Sequence, residues 1–130
     1  PDLAVGADLI AGFPTEDDAA HAQNISLIRE LPIVHAHIFP FSARAHTPAA
    51  RMPQHAKSLI KSRAADLRAV AQEVRNDWLN SLIGHNFNIL SERDGTGHAE
   101  NFARIRLPAN TPAGRIINFT PTQIIDGYLA

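Results

Sequence analysis

The sequence predicts an α/β portion followed by an all-β one, with a long helix between them. Three observations carry this. Residues 3–41 read as apolar run, amphipathic helix, apolar run, which makes one βαβ unit. Apolar residues then recur at three- and four-residue steps from Ile60 to Leu82. After Gly84 the character changes to five short strand-like stretches broken by turn residues. The expected parts are residues 1–82, a partial α/β barrel ending in the long helix, and residues 83–130, a small β-barrel.

The first strand, 3–13, runs into the stretch DLIAGFPTEDD, where Gly12 and Pro14 close an apolar run. Sheets of α/β proteins bind ligands at the carboxyl ends of their strands, and a glycine there lets a backbone approach closely. In the helix, 15–31, Thr15 is the expected N-cap, with Glu16, Asp17 and Asp18 in the first turn, where the helix dipole favours acids. Ala19, Ala22, Ile25, Leu27 and Ile28 give it an apolar stripe, and Pro32 ends it. The second strand covers 33–41. A parallel pair buried on both faces needs neighbouring strands and covering helices. With one unit present, the expectation is that the chain is cut from a larger sheet or barrel, or that a partner supplies the rest.

Residues 41–53 form a loop punctuated by Pro48 and Pro53. The helix after it carries Ile60, Ala64, Leu67, Ala71, Val74, Trp78 and Leu82 on one face, while Lys57, Lys61, Arg68 and Arg75 fall mostly elsewhere. It spans about 28 residues, or roughly 42 Å at 1.5 Å each. Gly84 is its natural stop. The stretches HNFNILSER, TGHAE, NFARIRL, GRIINFTPT and QIIDGYLA follow, with breaks at Asp94-Gly95, at PANTPAG and near Gln123. Strands this short point to closure, which removes exposed edges, and barrels of the oligonucleotide-binding kind are among the relatives such a pattern allows.

Composition narrows the chemistry. With 130 residues, 45% hydrophobic and 19% charged, the chain suits one ordinary globular domain or two small ones. It holds no cysteine, so a disulfide framework, a thiolate metal site and iron–sulfur ligation by this chain are excluded. No run approaches the roughly 20 apolar residues that cross a bilayer, and no signal peptide opens the chain, so no membrane partner and a cytoplasmic setting are expected. Charge is uneven: one base and six acids in 1–40 give −5, and seven bases and two acids in 41–75 give +5. A basic middle of this kind faces a polyanion or is simply solvated.

Few residues announce a reaction. His35 and His37 have the His-x-His spacing of a metal pair, but two histidines are not a site, and lining a core or pocket is the plainer reading. No phosphate-binding glycine motif occurs, and Glu16, Asp17 and Asp18 repel a phosphate at that helix start, so a cationic or neutral ligand fits better. Arg104 and Arg106 alternate on one strand with Phe102 close by, a combination that holds phosphates and stacks a base. No nucleophile stands in a recognisable frame, so no catalytic residue and no metal ligand is assigned.

Taken together, DLIAGFPTED, then HAHIFPFSARAHTPAARMP, then a basic helix and GHAENFARIRLP resemble the C-terminal part of the radical-SAM tRNA methylthiotransferases. The resemblance runs from about Val5 to the end. It implies the closing βαβ portion of a radical-SAM (β/α) barrel followed by a TRAM domain, an OB-like barrel that binds tRNA. The [4Fe-4S] clusters of the family are held by cysteines in N-terminal domains, which are the implied missing partners of this segment. Ile10, Gly12, Phe13 and Glu16, with Phe39 and Phe41, are similar to the segments that pack around S-adenosylmethionine. Arg44 is implied near the substrate, and Phe102, Arg104 and Arg106 on the tRNA anticodon stem-loop.

HAHIFPFSAR looks most like the branch acting on N6-threonylcarbamoyladenosine beside the anticodon, whereas the branch that modifies a ribosomal protein tends to an acid at the place of Arg44. His46 stands where the family usually has glycine, a residue suited to positive φ. The implied chemistry is insertion of sulfur and a methyl group at an adenine carbon, which needs more than this chain. The competing expectations are a stand-alone RNA- or protein-binding module, the ribosomal-protein branch, and a partner that completes another subunit's sheet.

Overall fold

The structure is a computed structural model that describes residues 3–130; Pro1 and Asp2, at the start of the expected first part, lie outside the described residues. Its contacts divide the chain into two compact units, Val5–Arg75 and one built on Asn76–Ala130.

The first unit is the expected βαβ: β1 (Val5–Ala11), α1 (Asp18–Glu30) and β2 (Ile33–Pro40), with the strands parallel. A short 3₁₀ turn, Pro48–Arg51, precedes α2 (Lys57–Ser81). At 25 residues α2 is about 38 Å long. The core is Ala11, Ile28, Ile33, Ala64, Leu67 and Val70, so α1 and α2 both cover one face of the strand pair. The other face is open, with Asp8 exposed opposite His37, and Ile10 and Phe39 55% and 52% exposed. The pair is thus buried on one face only, and no further strand of this chain joins it among the described residues. The expected helix start is corrected. Asp17, not Thr15, is the N-cap of α1 and accepts from Ala20 N–H at 2.8 Å. Both residue types cap well; Thr15 and Glu16 are held in a turn in which Glu16 N–H donates to Phe13 O at 2.8 Å.

The second unit holds six strands: β3 (Phe87–Ser91), β4 (Thr96–His98), β5 (Arg104–Arg106), β6 (Ile116–Phe119), β7 (Ile124–Ile125) and β8 (Tyr128–Leu129). Their order is β6-β3-β4-β5-β8-β7, and the β5–β8 pair is parallel. The expected closed barrel is not formed; β6 and β7 are the two edges of an open sheet. Closure fails for a local reason. Pro121 lies between β6 and β7 and has no N–H for a ladder, while the N–H groups of Thr122 and Gln123 both go to Ala130 O, at 2.7 and 3.0 Å. The stretch QIIDGYLA is a hairpin rather than one strand, turning at Asp126 and Gly127 with φ of 52° and 77°. This is the Asp-Gly pair that two-residue hairpins favour. Phe87, Ile89, Ala103, Ile105, Leu107 and Leu129 fill its core together with Leu79 and Leu82.

Candidate functional site

Where β1 ends, Gly12 takes φ 77° and is buried. A Cβ there would meet Ile60 Cγ1 at 2.8 Å, so the body that approaches this glycine closely is α2. Gly12 N–H donates to Glu16 Oε2 at 3.1 Å. The carboxylate of Glu16 is turned inward: Arg63 Nη1 lies 3.1 Å from Oε1 and also donates to Glu16 O at 2.6 Å, and both side chains are 5% exposed. Arg63 Nη2 reaches Asp18 at 2.8 Å, and Asn24 Nδ2 donates to Glu16 at 3.4 Å. The group of donors around Glu16 fixes the turn that leads out of β1.

Beyond that turn the strand ends open into a cavity of about 450 Å³ lined by Ile10, Phe39, Pro40, Phe41, Ser42 and Arg44. That volume is in the range of small-molecule sites. Phe41 N–H donates to Ala11 O at 2.8 Å, which carries the strand pairing to the rim. Phe13 stands edge-on to Phe41 with ring centroids 5.3 Å apart. Of the six residues expected around the cofactor, the structure places Ile10, Phe39 and Phe41 in the cavity wall, with Phe13 against Phe41. Gly12 and Glu16 instead support the turn from behind. Arg44 lies in the loop after β2, where its carbonyl accepts from Thr47 N–H and Oγ1 at 3.2 and 2.8 Å. His46, inside that turn, has φ 68°, the region a glycine adopts freely.

His35 and His37 do not gather a ligand set: among the described residues no three His, Asp or Glu side chains come together as a metal site. Arg75 Nη1 donates to His35 Nδ1 at 3.2 Å instead.

In the second unit Arg104 and Arg106 are on one side of β5, with Ile105 buried on the other. The aromatic between them is Tyr128, carried by the neighbouring β8, whose ring lies 5.4 Å from the Arg104 guanidinium carbon and 5.6 Å from that of Arg106. Phe102 has φ 62° in a tight turn before β5, with its N–H on Ala99 O at 2.9 Å, and is 70% exposed. It is therefore off the strand it was expected to share. Tyr128 was the residue that sequence reasoning missed; the Asp-Gly hairpin was its only signal, because a parallel β5–β8 pair leaves none. Each arginine also meets a carboxylate, Arg104 to Asp94 at 3.1 Å and Arg106 to Asp126 at 3.3 Å. Hydrogen bonds from the Thr96 hydroxyl and N–H, with the Arg104 charge, hold the Asp94 carboxyl below its ordinary 3.8. Exposed pairs like these are weak and screened by solvent, so both guanidiniums are available to a competing anion.

No protein-family model matches the chain. It is 36% identical over 129 residues, 99% of its length, to the threonylcarbamoyladenosine tRNA methylthiotransferase MtaB of Rickettsia prowazekii. It is 31% identical over 131 residues to the tRNA-2-methylthio-N(6)-dimethylallyladenosine synthase of Saccharopolyspora erythraea, again with 99% of the chain covered. The synthase of the same name from Bartonella henselae is 34% identical over 96 residues, 73% of the chain. The chain belongs to the tRNA methylthiotransferases. It spans 31%, 26% and 21% of these three methylthiotransferases respectively, so most of each has no counterpart in it. Among the described residues no helix is long and apolar enough to cross a membrane.

Proposed function

We propose that this chain is the C-terminal part of an enzyme that adds a methylthio group to N6-threonylcarbamoyladenosine beside the anticodon of tRNA. The observation that carries the reading is the 36% identity, over 99% of the chain, to an enzyme named for that substrate. In this reading the open face of β1 and β2 is covered by the remaining strands of the radical-SAM barrel, and the cavity at their ends holds S-adenosylmethionine.

The residues present fit that molecule. Ile10 and Phe39 offer an apolar wall to an adenine ring, and the cavity volume of about 450 Å³ accommodates a nucleoside with its side chain. When bound, S-adenosylmethionine supplies the radical and the methyl group that methylthiolation requires. The same chain does not fit an iron–sulfur cluster, since it holds no cysteine; the clusters are assigned to the rest of the enzyme. The residues here have binding and orienting work: Phe13 and Phe41 frame the cavity, Arg44 at its rim faces the substrate, and Arg104, Arg106 and Tyr128 dock the anticodon stem-loop.

Docking is tested by fluorescence anisotropy of a labelled anticodon stem-loop with the full-length protein over a range of salt. In the variant with Arg104→Ala and Arg106→Ala, the slope of log affinity against log salt falls by about 0.7–0.9 for each phosphate that is no longer neutralised. An unchanged slope contradicts the assignment of these arginines to phosphates.

A further inference from the structure

The basic middle of the sequence is the part of the charge pattern that the site leaves unused. Apart from Arg63, which is buried against Glu16 and Asp18, the charges it places on α2 are sorted by side of the helix. At 100° per residue, Lys57, Lys61, Arg68 and Arg75 fall within an arc of about 40°, and Asp66 and Glu73 lie roughly 120–180° from them. The acids are turned to α1, Asp66 to His21 at 3.2 Å and Glu73 to Arg29 at 3.1 Å. The four bases have no carboxylate within ion-pair distance among the described residues.

These bases line successive cavities beside β2 that share wall residues. Arg68 and Arg75 line a cavity of about 340 Å³ against the strand. Arg68, Lys61 and Lys57 line the next, of about 250 Å³, which includes Phe41. Phe41 also belongs to the strand-end cavity with Arg44 at its rim. One nitrogen of Arg68 donates to Ile38 O at 3.0 Å, and one of Arg75 to His35 at 3.2 Å. A guanidinium has five donors, so both arginines are anchored to β2 with donors to spare. From Lys57 to Arg75 the stripe runs about 27 Å along the helix.

We propose that this stripe is a phosphodiester track: it holds the backbone of the RNA substrate as it leads away from the strand-end cavity. The proposal rests on the tRNA reading above and adds a second RNA surface, in the first unit, to the arginine pair of the second. A row of cations without carboxylate partners at helical spacing, with the acids of the same helix on its far side, is complementary to a regularly charged polyanion.

The test uses the same stem-loop, extended by its natural stem, with the full-length protein over a range of salt. Lys61→Ala, Arg68→Ala and Arg75→Ala each lower the slope by about 0.7–0.9, and the triple variant by about 2–3. Asp66→Asn leaves the slope unchanged. Lys57→Glu with Lys61→Glu alters two exposed side chains that hold no ion-pair partner among the described residues, and weakens binding about tenfold or more at low salt. Stripe variants that bind like the parent while the Arg104 and Arg106 variant still shows a reduced slope overturn the track and leave the tRNA reading standing. Absence of stem-loop binding by the parent protein overturns both.

Discussion

Arg63 enters the first unit from α2 and ends among oxygens of Glu16 and Asp18. It is 4% exposed, so removing it leaves the Glu16 carboxylate buried with one cation fewer. Arg63→Ala is expected to cost about 3–5 kcal/mol, the usual penalty for an orphaned buried partner, measured by urea unfolding of the chain. A cost below about 1 kcal/mol places the pair in the class of surface bridges and contradicts its structural weight. The sequence held a signal for this: Arg63 is three residues after Ile60 and four before Leu67, on the apolar stripe, and a charge there calls for a buried partner. Glu16 was equally visible as an acid at the strand end. That it turns toward α2 was not, because its partner is 47 residues away. A histidine where the resemblance implies glycine left the backbone shape open, and His46 at φ 68° takes the left-handed conformation at a strain cost of roughly 1–2 kcal/mol.

The elements divide by how local their causes are. The βαβ unit and α2 were legible because apolar periodicity, capping acids, Pro32 and Gly84 all act within a few residues. The sheet of the second unit was legible only as short strands. Its parallel β5–β8 pair and open edges depend on neighbours that no local pattern encodes. Gly97 illustrates such an approach. A Cβ on it would stand 2.5 Å from Ile89 Cγ2 and 2.7 Å from Leu90 O, so β3 and β4 approach at a distance only glycine permits. Gly97→Ala is expected to destabilise the second unit by about 1–3 kcal/mol through overpacking, seen as a lower unfolding midpoint. An unchanged midpoint means that β3 and β4 separate without cost, which this packing does not allow.

At the scale of the whole molecule, three features belong together: a strand pair covered on one face only, a cavity at its carboxyl end, and a row of four cations on the side of α2 away from Asp66 and Glu73. In the function proposed above, a barrel completed by other strands would use the first, S-adenosylmethionine the second and an RNA backbone the third. The candidate site was half legible from sequence. Ile10, Phe39, Phe41 and Arg44 line one cavity, at a strand end whose place follows from the βαβ pattern. Tyr128 and the pairing of Arg68 with β2 were not legible, since both arise from tertiary neighbours. The central claim is the identity of the modified nucleoside. The most direct measurement is mass spectrometry of nucleosides from the tRNA of cells that lack the gene. The account predicts loss of the methylthio form of N6-threonylcarbamoyladenosine and accumulation of its unmodified parent. Unchanged levels of that nucleoside, with loss of the dimethylallyladenosine form instead, contradict it.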